Sequence, residues 1–133
     1  MKIIARSVPV KLGGHTWICD ILLGAYRNSL RPAITLVESQ DSTFMGEPVA
    51  TISTNVRPEY YTGMSFLAFS VKNWTENEGI EEQMLTWKDE QGEQIFRDTG
   101  KAFTVGYASA PVYEIASSSA ISAFDELLLE LEG

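Results

Sequence analysis

Between Trp74 and Gly92 the chain reads WTENEGIEEQMLTWKDEQG, with Ile80, Met84 and Trp87 at i, i+4 and i+7. That spacing marks one apolar helical face. On either side of it lie segments whose apolar residues alternate with period two, the strand signature. Strands gathered in two groups around one helix do not give the regular strand–helix alternation of a doubly wound parallel sheet. The expected class is α+β, a mainly antiparallel sheet with one inserted helix and one helix at the C-terminal end. Thr75 as N-cap with Glu78 as its capping-box partner, Glu76 and Glu78 near the positive end of the dipole, and Gly92 as stop predict the inserted helix over about 75–90. Glu81, Glu82 and Asp89 then fall away from the apolar stripe, toward solvent.

The first group of strands begins at once. Ile4, Val8, Val10 and Leu12 recur at even positions, interrupted by Arg6, with Pro9 confining this strand to an edge or a bulge. Gly13-Gly14 is a turn. Thr16–Leu23 carries Trp17, Cys19, Ile21 and Leu23 on one face and Ile18, Asp20 and Leu22 on the other, so a mid-sheet position covered on both sides is expected. Arg27–Arg31 reads as a loop. Ala33–Glu38 and Val49–Val56 read as a hairpin joined by a long connection containing Asp41-Ser42 and Gly46. Met64–Val71 is strand-like, or the approach to the helix. After the helix come a short strand at Gln94–Arg97, a turn at Asp98–Gly100 and a strand at Lys101–Tyr107. A break at Ser109-Ala110-Pro111 precedes a last strand at Val112–Ile115. Ser117–Ser119 can cap a final amphipathic helix over about 118–132, with Ile121, Phe124, Leu128 and Leu131 on one stripe and Leu127 beside it. Packing on its own sheet is expected for that helix; pairing with a copy of itself is the alternative.

The chain of 133 residues suits a single α+β domain spanning 1–133. No apolar run reaches the length of a membrane span, and the alternating MKIIARSVPVKL start, with Arg6 and Pro9, does not read as a signal peptide. One cysteine, Cys19, excludes an internal disulfide and makes a reducing cytoplasm the expected compartment. The net charge of −8 argues against direct nucleic-acid binding, which relies on Lys and Arg. That charge is concentrated. Residues 1–74 hold seven Lys/Arg and five Asp/Glu, whereas 75–133 hold three and thirteen. A field of one sign on part of a small domain can steer a basic partner, although acidic surfaces also serve solubility alone.

The familiar chemistries find little support. One His and one Cys exclude a structural zinc site on ligand count, and Asp89–Glu93 is better read as a solvated helix end than as a calcium loop. His15 and Cys19 would sit roughly 13 Å apart along one strand face, too far for a thiolate–imidazole pair. No nucleophile-elbow, P-loop or dinucleotide fingerprint occurs. Trp17, Trp74, Trp87, Tyr60 and Tyr61 read mainly as core and sheet-cover residues. No cofactor is expected.

Gly46-Glu47-Pro48 before a strand, Glu76-Asn77-Glu78-Gly79-Ile80 opening a helix, and Gly100, Gly106-Tyr107 and Pro111-Val112 form an outline covering about half of the chain. In it the chain resembles a family of short uncharacterised proteins carried by phages and mobile elements of gut-type bacteria. The resemblance implies an accessory cytoplasmic protein of a mobile element and brings no catalytic residues; the Ser117–Gly133 segment departs from it. The expected function is a non-enzymatic module whose acidic half docks on the basic surface of another protein, such as a nuclease of a host restriction or CRISPR system. Glu81, Glu82, Asp89, Glu90, Glu93, Asp125, Glu126, Glu130 and Glu132 are the expected contact residues. The alternatives are a small-molecule binder or enzyme with an aromatic-lined pocket, and a structural protein that self-associates as a homodimer through the C-terminal helix.

Overall fold

The first hairpin follows from its turn. Gly13 and Gly14 adopt φ of +60° and +76°, the left-handed pair that a two-residue turn needs to match strand twist. They join β1 (Lys2–Leu12) to β2 (His15–Ala25) in the computed structural model, which describes residues 1–40 and 46–132. The Asp41-Ser42 turn signal lies outside those residues. β1 is an edge strand, as Pro9 requires, and two irregularities interrupt its ladder between Ile3 and Val8. Asp20 pins the second: its Oδ1 accepts the Ser7 N–H at 3.0 Å and the Ser39 hydroxyl at 2.6 Å. β2 is mid-sheet with Cys19, Ile21 and Leu23 buried; on its other face Asp20 and Leu22 are buried while Ile18 is half exposed.

β3 (Pro32–Glu38) and β4 (Pro48–Thr51) complete a first sheet in the order β1-β2-β3-β4. The hairpin expected from Ala33–Glu38 and Val49–Val56 is present, but its second strand is shorter than its period-two pattern. At Ile52 the chain leaves the first sheet. The Ile52 N–H donates to Ile34 O at 3.0 Å, on β3, while its C=O accepts the Lys72 N–H at 2.8 Å, on the other side. Ser53–Thr54 then forms β5, the outer strand of a second sheet ordered β5-β6-β8-β7, with β6 at Ala68–Val71, β7 at Phe96–Val105 and β8 at Ala108–Ile115. The single sheet expected is therefore two, and every pairing between named strands is antiparallel.

β7 is continuous through the expected Asp98–Gly100 turn, which is a bulge with Gly100 at φ +79°. Ser109–Pro111 does not break β8. β6 pairs with β8 only from Val112 to Glu114, so Pro111 lies just beyond the last paired residue of that ladder.

The inserted helix is the main correction. A 3-10 turn at Thr75–Asn77 is followed by α1, only Ile80–Met84. Thr75 has φ +53° and makes no cap bond, so the capping box with Glu78 does not form. Gly79 at φ +86° separates turn from helix. Beyond α1 the Trp87 C=O accepts the Ile95 N–H and Lys88 bridges to Gln94, which folds residues 88–94 into a tight turn with Gly92 at φ +81°. Tertiary burial overrides local propensity here: Ile80, Met84 and Trp87 are all buried, but Trp87 reaches the core from the turn.

α2 (Ser118–Glu132) has the expected bounds. Ser117 caps it, its Oγ accepting the Ala120 N–H at 3.3 Å. The face that packs on β1 and β2 is turned toward Ala120: Ala120, Phe124 and Leu127 are buried, Ile121 and Leu128 half-buried, and Leu131 exposed. The sheets and both helices share one core that includes Ile21, Leu23, Ile34, Ile52, Phe69, Phe96 and Phe124. A smaller cluster of Val56, Tyr61, Ala68 and Val112 is buried apart from that core, with Phe103 packed against it.

Candidate functional site

The acidic segments meet along one strand. At the start of β1, Lys2 Nζ pairs with Glu126 at 3.3 Å and Glu130 at 3.1 Å on α2. Further along, Ile3–Arg6 line an open cleft of about 310 Å³ with Asp89, Glu90, Gln91, Ser119 and Ala123. At the far end α1 is fastened by the Gln83 side-chain amide, which accepts the Lys11 N–H at 2.7 Å and donates to Lys11 O at 2.8 Å. α2, the 88–94 turn and α1 thus follow one another beside β1.

The nine carboxylates divide by role. Asp89 is not at a solvated helix end: it is buried, 8% exposed, within the turn. Its Oδ1 accepts the N–H groups of Gln91 at 3.0 Å and Glu93 at 2.9 Å, and its Oδ2 accepts the Ser119 hydroxyl at 2.6 Å. Burial acts to raise this carboxyl, but hydrogen bonds from Ser119, Glu93, Gln91 and Ser117 together outweigh it and hold the group below its ordinary value. Glu93 caps α2 by accepting the Ser118 N–H at 3.2 Å. Glu81 is half-buried and accepts Asn73 Nδ2 at 2.6 Å and the Tyr113 hydroxyl at 3.1 Å, with the Tyr113 phenol raised by burial and by that carboxylate. Glu126 and Glu130 anchor Lys2. Glu82, Glu90, Asp125 and Glu132 are exposed. The partners Lys2, Asn73, Gln83 and Tyr113 carry no sequence signal, because their contacts run between elements distant in the chain.

The other candidates take ordinary roles. Cys19 is fully buried, and burial, with Glu38 and Asp20 nearby, pushes its thiol up to about 11, opposite to the shift a nucleophile needs. His15 packs edge-on against Trp17 at 4.6 Å. Trp87 and Tyr61 are buried, Trp74 is half-buried, and Tyr60, 48% exposed, stacks on Phe103 at 5.3 Å. Trp17 lines a shallow cleft of about 200 Å³ with Leu12, Val49, Ala50 and Glu76. That is below the roughly 300 Å³ at which small-molecule pockets begin. Among the described residues no group of three His, Cys, Asp or Glu side chains is arranged to hold a metal ion, and no helix is long and apolar enough to cross a membrane. Comparison with protein-family models, curated proteins and solved structures finds no match for this chain.

Proposed function

We propose that the chain is a non-enzymatic binding module that docks its acidic side on a basic surface of another protein in the cytoplasm. The observation that carries this reading is the succession of α2, the 88–94 turn and α1 along β1, with Glu82, Glu90, Asp125 and Glu132 left exposed on those segments. Such an array matches the potential of a protein that itself binds phosphates, so the nucleic-acid groove of a nuclease is the kind of surface it fits. An inhibitor of a host restriction or CRISPR nuclease, carried by a phage or mobile element, is the specific form of the proposal. Charge complementarity of this type acts chiefly on association rate and selectivity and weakens with salt.

The test is affinity capture from a host lysate with the wild type and with a variant carrying Glu82→Lys, Glu90→Lys, Asp125→Lys and Glu132→Lys. Each reversal changes the charge by two, so the four bring the net −8 to zero without touching Asp89, Glu81 or the Lys2 pairs. Basic proteins should be captured at low salt by the wild type and lost from the variant. Equal capture by both chains refutes the reading.

A further inference from the structure

The connection between β2 and β3 closes tightly: the Leu30 N–H donates to Tyr26 O at 2.7 Å and the Tyr26 N–H to Arg31 O at 3.0 Å. The closure holds Leu30 at φ +57°, a left-handed conformation strained for a bulky side chain and normally given to Gly or Asn. Burial does not offset that strain, because Leu30 is 45% exposed. Leu131, 49% exposed, extends the apolar stripe of α2 toward it, and the two leucines line an open cleft of about 360 Å³ with Arg27 and Glu130. Arg27 makes no ion pair among the described residues. Lys2 bonds Oε1 of Glu130, which leaves Oε2 for another cation.

We propose that this cleft is a self-association site, in which Leu30 of each copy seats on Leu131 of the other and Arg27 of each copy meets Glu130 of the other. The rim selects that occupant. A purely basic partner would satisfy Glu130 and oppose Arg27, and a purely acidic one would do the reverse. A second copy related by a two-fold axis brings both charges to complementary positions, and each strained leucine is covered by the symmetric contact. The pairing stands independently of the docking reading.

Sedimentation velocity of the full chain from micromolar to millimolar concentration tests it. The apparent mass should rise from 14.7 kDa toward twice that value. Leu30→Gly removes the anchor and relieves the backbone, so the chain should stay folded, melt no lower than wild type, and remain monomeric. Arg27→Glu should weaken association by about tenfold or more, and adding Glu130→Arg should restore it. A wild type at monomer mass throughout, an undiminished dimer in Leu30→Gly, or a charge swap that fails to restore association overturns the proposal.

Discussion

Asp89 joins the acidic turn to α2, and its replacement has a calculable outcome. The main-chain N–H groups of Gln91 and Glu93 and the hydroxyl of Ser119, joined by that of Ser117, donate to one buried carboxylate. Hydrogen bonds to a charged group contribute roughly 1.5–3 kcal/mol each in mutational series, and neutral ones about 1 kcal/mol. Asp89→Asn keeps Oδ1 for both N–H donors and offers Ser119 an amide that its hydroxyl can accept from, so only the charge-dependent part is lost. Summed over these bonds, the charge-dependent difference is about 1.5 kcal/mol or more in urea unfolding at neutral pH, and Asp89→Ala, which removes both oxygens as well, should cost more than Asp89→Asn. The pH dependence has a definite sign. A carboxyl held below its unfolded value stabilises the fold above that unfolded value, near 3.8, and loses the contribution as pH falls through the folded one. The gap between wild type and Asp89→Asn should therefore be constant through neutral pH, shrink as acid reaches the carboxylate range and close below it. A gap under about 0.5 kcal/mol at neutral pH, or one that persists unchanged in acid, refutes the assignment.

Two further outcomes follow from burial. Phe124→Ala empties a fully buried position between α2 and the sheets and should lower stability by about 3–5 kcal/mol in the same titration. Cys19, buried and with its thiol near 11, should resist alkylation at neutral pH in the native protein and react promptly once denaturant is added, as mass spectrometry reads directly.

Local rules were enough wherever one face of an element and its turn agreed. Lys2–Leu23 shows period two around a glycine pair, and Ser117 opens a helix whose apolar residues repeat along one side; both are found where the pattern puts them. The pattern fails where a distant contact decides. Thr75–Gly92 has helical spacing, but Gly79 takes a left-handed φ, the Trp87 carbonyl is claimed by Ile95, and Asp89 folds its own turn. Val49–Val56 alternates like one strand, yet Ile52 divides its hydrogen bonds between two sheets, a partition no periodicity encodes. The candidate surface was legible only in part. Composition locates the carboxylates on segments that lie beside β1, while the bonds that tie down Glu81, Asp89 and Glu93 come from residues far along the chain, and Glu82, Glu90, Asp125 and Glu132 are left exposed.

The double allegiance of Ile52 bears on how the molecule comes apart. With its amide committed to β3 and its carbonyl to Lys72 just past β6, Ile52 is fully bonded only while both layers are closed, and the two layers also share one core. Melting should therefore be all-or-none, with calorimetric and van't Hoff enthalpies in agreement. Protection of the central amides of β2 and of β8 should then report a single opening free energy, not two.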